Sequence, residues 1–204
     1  MIDACRPVPE SISPDERELG RALLTIARSA IAAKLDLPRV DEPDAPALAR
    51  HAATFVTLHA HGELRGCIGS LEPVRPLRVD VRENALAAAF RDPRFPPLAV
   101  REFGAITVEV SLLSQPERLA VADEDELVRR LRRGVDGHIL EHDGRRATFL
   151  PQVWESLPDP RDFVVSLKRK AGWSHGFWGA RMNAYRYGAT KWTEREFVSC
   201  EARG

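Results

Sequence analysis

The chain has 204 residues, of which 44% are hydrophobic, so it is long enough to bury a core of ordinary size, as one domain or as two small lobes. Its 30 basic and 30 acidic residues cancel, which argues against generic binding to nucleic acid or to an anionic membrane. The N-terminus lacks the features of a secretory signal, and no apolar stretch reaches the roughly 18 to 20 residues of a membrane span. These observations predict a soluble, cytoplasmic protein.

The three cysteines are odd in number and widely spaced: Cys5, Cys67 and Cys200. This spacing matches neither a disulfide framework nor paired CxxC zinc ligands, so all three are predicted to be free thiols. Cys5 and Cys200 lie near the chain ends, where residues are often poorly ordered, and are interpreted as incidental. Cys67 lies far from both ends of the chain, so this interpretation does not apply to it.

The first third of the chain predicts a helix followed by a β-hairpin. A capping box at Ser13 to Glu16 marks the start of the helix, and apolar residues recur at helical spacing to about Leu35. From Thr54 the pattern changes to period two, with His61-Gly62 as the predicted reversal between antiparallel strands. The second strand of this hairpin carries Cys67.

The rest of the chain predicts further helices and strands that come as hairpins or singly. Because there is no regular βαβ series, the predicted class is α+β, with antiparallel sheets and flanking helices. The patterns predict helices over 76–91, 123–133 and 161–170, a central strand over 104–113, a hairpin over 137–151 that turns at Asp143-Gly144, and a last strand over 183–192.

The segment ELRGCIGS, from Glu63 to Ser70, places an arginine two residues from the cysteine. On an extended strand alternate residues share a face, so Arg65 and Cys67 are predicted neighbours. A guanidinium beside a thiol favours the thiolate. Gly66 and Gly69 remove side chains on both flanks of the cysteine, which lets another backbone or a ligand approach.

Two interpretations of this segment stay open. Either Cys67 is a reactive thiol beside a cation that grips a carboxylate or phosphate, or it is a small buried hydrophobe and Arg65 pairs with a strand neighbour. A cysteine hydrolase also needs a histidine that accepts the proton. His59 and His61 lie across the predicted hairpin, and each fits either that role or an exposed polar position.

Five motifs in order resemble the family of the AMME-syndrome chromosomal-region protein. They are LRGCIG from Leu64, AFRDPRFPPL from Ala89, VEVSLLSQPE from Val108, ATFLPQVW from Ala147 and LKRKAGW from Leu167. The resemblance runs from the first helix to about Tyr187. It implies a single AMMECR-type domain over 1–204, with a larger subdomain mainly in 13–120, which holds the Arg-Gly-Cys segment, and a smaller one mainly in 121–195.

The resemblance also implies partners and site residues. Bacterial and archaeal members, called AmmeMemoRadiSam system protein A, are associated with a Memo-type protein and a radical S-adenosylmethionine enzyme. We expect catalytic roles for Cys67, Arg65 and Glu109, and substrate contacts from Gly66, Gly69, Asp92 and Arg94. The alternatives are that Asp92 and Arg94 only shape their loop and that Glu109 is half of an inter-strand salt bridge.

Other motifs carry no cofactor or metal assignment. There is no CxxxCxxC for the iron–sulfur cluster of a radical enzyme, so that chemistry would belong to a partner. His138 and His142 are four apart in a predicted hairpin, where the helical one-face argument for a metal pair fails, and GCIG is no P-loop. Two functions therefore compete: a cysteine-dependent enzyme or substrate-handling component acting with those partners, and a non-catalytic adaptor that docks them. RNA binding is the weakest reading.

Overall fold

The structure, a computed structural model, describes residues 13–201, with the backbone alone for 198–201. Cys5 and the side chain of Cys200 lie outside the described part, so the predictions for these two thiols stay predictions. Over residues 13–201, no helix is both long enough and apolar enough to cross a membrane.

The described residues form an α+β protein with five α-helices and two four-stranded antiparallel sheets, which confirms the predicted class. The strand orders are β2-β1-β3-β8 and β4-β7-β5-β6. In chain order the elements are α1 (Pro14–Lys34), β1 (Thr54–Ala60), β2 (Glu63–Gly69), α2 (Leu77–Phe90), β3 (Ile106–Leu113), β4 (Glu117–Leu119), α3 (Glu124–Arg130), β5 (Gly137–His142), β6 (Arg145–Phe149), α4 (Pro160–Lys170), β7 (Asn183–Tyr187), β8 (Ala189–Thr193) and α5 (Glu194–Glu201).

The chain divides into two compact units, each with one sheet. The first unit comprises the described residues up to Leu112 and again from Thr190, and the second unit is Leu113–Ala189. The subdomain limits expected from the resemblance, 13–120 and 121–195, stay a prediction.

The core of the first unit lies between one face of its sheet and the helices α1 and α2. The predicted capping box begins α1: Ser13 Oγ accepts from Glu16 N at 3.2 Å, and the Glu16 carboxylate accepts from Ser13 N at 3.0 Å. Gly20 of α1 leaves room for Trp192 of β8, because a Cβ atom at this glycine would lie 2.4 Å from the indole ring. Other members of this core are Leu23, Ile26, Val56, Leu58, Val81, Ala85, Val108 and Val110.

The β1–β2 hairpin turns where the sequence predicts, but its strands do not alternate strictly. His61 and Gly62 have φ of 54° and 88°, as a two-residue hairpin turn requires. Leu58 pairs with Gly66 and the next residue of β1 pairs with Leu64, so Arg65 is the extra residue of a β-bulge. The predicted alternation of side chains in this segment is therefore wrong at Arg65.

The second unit contains the predicted hairpin β5–β6, whose turn residues Asp143 and Gly144 have φ of 45° and 74°. The single strand predicted over 183–192 is wrong, because this stretch forms β7 in one sheet and β8 in the other. The change of sheet occurs at Gly188, which exchanges two 2.9 Å hydrogen bonds with Ser114. The sequence pattern also gave no sign of the short strand β4 or of α5.

Candidate functional site

Four polar side chains follow one another across the sheet of the first unit. Cys67 on β2 pairs with Thr57 on β1, and Thr57 pairs in turn with Glu109 on β3. Glu109 Oε1 lies 3.2 Å from the Nζ atom of Lys191 on β8. We call Cys67, Thr57, Glu109 and Lys191 the polar row.

The polar row lies on the face of the sheet opposite the core. Its neighbours along the strands, among them Val56 and Val108, are fully buried, whereas Cys67 and Thr57 are half-buried. The side chain of Lys191 is 54% exposed. Because successive residues of a strand point to opposite faces, the row presents a thiol, a hydroxyl and an ion pair on the side away from α1 and α2.

The sulfur of Cys67 accepts a hydrogen bond from Thr57 Oγ1 at 3.4 Å. Strand geometry explains this contact. Cys67 N donates to Asp92 Oδ2 at 2.8 Å, and Cys67 O accepts from Arg94 Nη2 at 3.2 Å, so the backbone of Cys67 faces away from β1. The pair with Thr57 is therefore of the non-hydrogen-bonded kind, in which facing side chains approach most closely.

Asp92 and Arg94 cap the free edge of β2 at the cysteine. Arg94 donates to both oxygens of Asp92, from Nε at 2.9 Å and from Nη2 at 2.6 Å. These bonds from Arg94, together with the N–H of Cys67, hold the pKa of the buried Asp92 well below its usual range. The unpaired backbone groups of an edge strand tend to pair with another strand. At Cys67 the side chains of Asp92 and Arg94 bind these groups instead.

Arg94 supplies the cation at Cys67, because its Nη2 atom donates to the backbone oxygen of that residue. Asp92 is the main cause that raises the pKa of Arg94, and the sulfur of Cys67 adds a smaller contribution in the same direction. Since the side chain of Arg94 is 52% exposed, its guanidinium keeps surface that a bound molecule can contact. Asp92 and Arg94 thus shape the loop and line the cysteine at the same time.

Arg65 binds elsewhere. Its Nε donates to Glu102 Oε1 at 2.8 Å and its Nη2 to Pro96 O at 2.9 Å, and its side chain is 11% exposed. Glu102, whose pKa Arg65 lowers, belongs to the 3₁₀ helix Val100–Glu102 and not to a strand. The Arg65 Nη1 atom is buried without a hydrogen-bond partner. Its predicted catalytic role stays a prediction, and its ion pair holds the loop that carries Arg94.

The two glycines of the segment have packing roles. A Cβ atom at Gly66 would lie 2.2 Å from the backbone oxygen of Ala88 on α2, so this glycine lets another backbone approach. A Cβ atom at Gly69 would lie 2.2 Å from the ring of Phe55, which crosses over it from β1. Their use in substrate binding stays a prediction.

Glu109 forms the inter-strand salt bridge that the sequence left as an alternative, with Lys191. His59 follows Thr57 by two residues on β1 and so shares its face, whereas His61 lies exposed in the turn. Sequence reasoning missed Thr57 and Lys191. The alternation of β1 could have singled out Thr57, but the place of Lys191 depended on β8 being a separate strand beside β3, whereas the sequence predicted one strand over 183–192.

A second polar cluster, also missed, fixes the far end of the hairpin. The fully buried Asp80 of α2 accepts from Thr54 N at 2.8 Å, from Thr54 Oγ1 at 2.7 Å and from Ser70 Oγ at 2.7 Å. Arg75 Nε donates to the same carboxylate at 2.9 Å, and Asn84 completes the cluster. These bonds tie the start of β1 and the end of β2 to α2, which holds the Cys67 strand in place.

Two histidines of the second unit, His138 and His142, pack against aromatic rings. His138 is buried with its ring edge-on to Trp154 and Phe163, which stack on each other, and neither ring nitrogen has a hydrogen-bond partner. His142 packs against Phe177 and Trp173. Within residues 13–201, no group of three or more histidine, cysteine, aspartate or glutamate side chains is arranged to hold a metal ion.

Similarity to known proteins identifies the family. The AMMECR1 family profile matches residues 24–192. A protein of Methanothermobacter thermautotrophicus is 40% identical over 185 residues, which cover 87% of this chain and 95% of that protein. A protein of Thermofilum pendens is 36% identical over 200 residues, which cover 87% and 90%. The crystal structure of an uncharacterised protein from Pyrococcus horikoshii matches with a TM-score of 0.72 and 32% identity, over 87% of this chain and 92% of that one. The chain therefore belongs to the AMMECR1 family.

Proposed function

We propose that this protein is a cysteine-dependent enzyme, or the substrate-handling component of one, that acts in the cytoplasm on a small molecule with an anionic group. One observation carries the proposal. The half-buried sulfur of Cys67 accepts a hydrogen bond from Thr57, while Arg94, held by Asp92, donates to the backbone oxygen of Cys67 and keeps its guanidinium half-exposed.

Each of these groups has a chemical role in the proposal. The thiolate is the nucleophilic form of cysteine, and both a donated hydroxyl and a nearby cation favour it. The exposed part of Arg94 binds the carboxylate or phosphate of the substrate, a task for which a guanidinium is suited. Glu109 is the carboxylate of the polar row and the first candidate for moving a proton, with His59 on the same face as the second.

The proposed partners are a Memo-type protein and a radical S-adenosylmethionine enzyme. Support comes from the resemblance, because bacterial and archaeal proteins with the LRGCIG segment are associated with both. This chain has three widely spaced cysteines, so an iron–sulfur cluster of the CxxxCxxC kind must be supplied by the radical enzyme.

The test is the rate of alkylation of Cys67 by iodoacetamide as a function of pH, in a Cys5→Ser/Cys200→Ser background where a single thiol reports. We expect rapid, complete modification with a midpoint below about pH 8.5, the ordinary value for a thiol. Arg94→Gln should move the midpoint upward by about half to one pH unit, because it removes the cation at Cys67. Arg91→Gln, which removes an exposed arginine three residues away in sequence, is the matched control and should leave the midpoint unchanged.

The alternative function is a non-catalytic adaptor that docks the two partners. It is favoured by a specific observation, which is that the cation in contact with Cys67 already has a carboxylate partner, because Arg94 is paired with Asp92. Such pairing is also what a purely structural surface would have. Co-expression of the three proteins distinguishes the two functions, because the adaptor requires a stable complex that survives Cys67→Ser.

A further inference from the structure

We infer that Thr57 and Lys191 are positioning residues of the Cys67 site, and that the Thr57 hydroxyl transmits the state of the Glu109–Lys191 ion pair to the sulfur. The inference rests on the proposed function, in which Cys67 reacts as a thiolate. It gives a role to every residue of the polar row, whereas the proposed function depends mainly on Cys67 and Thr57.

The first step is the position of the hydroxyl. Thr57 lies between two acceptors, with the sulfur of Cys67 on β2 at 3.4 Å and the carboxylate of Glu109 on β3 as its other strand partner. Directly opposed residues of antiparallel strands have Cβ atoms about 4.5 to 5.5 Å apart, within reach of a glutamate side chain. A threonine hydroxyl has one proton to donate, so it serves one acceptor at a time.

The second step is the role of Lys191. In the structure the Glu109 carboxylate is bound by Lys191 Nζ at 3.2 Å, and the hydroxyl of Thr57 is directed to the sulfur. An ionised carboxylate is a much better acceptor than a neutral thiol. Without Lys191, Glu109 would accept the hydrogen bond from the Thr57 hydroxyl, and the thiol would stay protonated and donate a hydrogen bond to the Thr57 oxygen.

The third step excludes a direct effect of the lysine charge on the sulfur. Cys67 and Lys191 lie on the two edge strands of the sheet, three strand spacings or about 14 Å apart. This exceeds the screening length of about 10 Å at 0.1 M salt. A marked influence of Lys191 on Cys67 must therefore pass through Glu109 and Thr57.

Proton balance in this scheme is simple. When Cys67 ionises, its proton goes to solvent, and the Thr57 proton stays on its own oxygen and changes only its acceptor. The other charged or titratable groups that face the sulfur are Asp92 and Arg94 at the edge of β2 and His59 on β1. The first two are left unchanged in every variant, and a His59→Gln background removes the third.

The experiment is a double-variant cycle read out by the pH midpoint of Cys67 alkylation, in the Cys5→Ser/Cys200→Ser background. Thr57→Val, which keeps shape and β-branching, should raise the midpoint by about one pH unit, and Thr57→Ser should restore it. Lys191→Met should raise it nearly as much, and Lys191→Arg should not. In the Thr57→Val background, Lys191→Met should have no further effect. Lys34→Met, an exposed lysine at the end of α1, is the control for a change in net charge.

The outcomes separate the inference from the proposed function. If the parent titrates as expected but Lys191→Met shifts the midpoint equally with and without the Thr57 hydroxyl, the coupling through Thr57 is wrong and the reactive cysteine stands. If the parent shows slow, partial modification at every pH, the reactive cysteine is wrong and the inference falls with it. Circular dichroism and thermal unfolding of each variant confirm that the sheet is intact.

Discussion

Asp80 in the first unit and His138 in the second unit are both buried polar side chains, but their surroundings differ. In the first unit, buried polar groups such as Asp80 have several partners, and the polar row lies half-exposed on the face away from the core. In the second unit, His138 is buried among aromatic rings without a hydrogen-bond partner.

This difference shows where chemistry is supported. A thiol, a hydroxyl and charged groups that are partly exposed and hydrogen-bonded to one another are poised to meet a molecule from outside. A buried imidazole without hydrogen-bond partners contacts only core side chains and lowers the stability of the fold. The polar row of the first unit therefore carries the proposed activity, whereas His138 is a cost to folding.

The largest expected effect comes from removing a partner in the first unit. Asp80→Ala leaves Arg75 and the donors at Thr54 and Ser70 without their shared acceptor, and breaking a buried ion pair costs about 3 to 5 kcal/mol. Urea unfolding followed by circular dichroism measures this loss. Asp44→Ala, which removes a fully exposed partner of Arg78, is the control and should cost no more than about 1 kcal/mol. Equal losses in the two variants would contradict the structural role of the Asp80 cluster.

The next effect concerns pH and the second unit. Burial lowers the pKa of His138 to about 4, whereas a histidine in the unfolded chain titrates near 6.5. The unfolded state therefore binds more protons between these values, so the stability present above pH 6.5 decreases as the pH falls toward 4, by at most about 3 kcal/mol. His138→Leu should reduce this acid loss and raise stability at pH 7 by about 1 kcal/mol, because it removes an unpartnered buried group.

Unfolding midpoints in urea at pH 7, 5.5 and 4.5 test the role of His138. The control is His175→Gln, since His175 is exposed in the same unit and its change should leave the acid loss as it is. A His138→Leu variant with the same acid loss as the parent would assign the pH dependence to other groups.

A smaller effect is expected at the glycine beside the cysteine. Gly66→Ala places a methyl group 2.2 Å from the Ala88 backbone oxygen, and because a backbone atom gives way poorly, the expected cost is about 1 to 3 kcal/mol. Gly104→Ala is the control, since a Cβ atom there meets nothing within 4 Å. Thermal unfolding of both variants measures the difference. A Gly66→Ala protein with the stability of the parent would mean that the backbone of α2 does not pack closely against β2 at Gly66.

Local signals in the sequence gave the fold class and most elements. The capping box at Ser13 to Glu16 and the turns His61-Gly62 and Asp143-Gly144 depend on neighbouring residues, and all three are confirmed. The split of 183–192 into β7 and β8 depends on the pairing of Gly188 with Ser114, which lies far away along the chain. Such a long-range pairing leaves no periodic trace.

The candidate site also has some features that neighbouring residues determine and others that long-range packing determines. Cys67 is recognisable in the sequence from the residues around it, but the strand spacing names Arg65 as the neighbouring cation, and Arg94 is expected at the site only from the family resemblance. The β-bulge moves Arg65 out of the simple alternation and its side chain binds Glu102, while Arg94 reaches the cysteine from a loop. These facts are set by the packing of α2 and the 3₁₀ helix against β2, which the spacing of residues within the strand does not reveal.

The most direct test of the central claim is alkylation of Cys67 by iodoacetamide, followed by mass spectrometry across a pH series, in the Cys5→Ser/Cys200→Ser protein under native conditions. The account predicts complete modification with a midpoint below about pH 8.5. Slow, partial modification that accelerates only when urea unfolds the protein would identify Cys67 as a structural thiol and contradict the account.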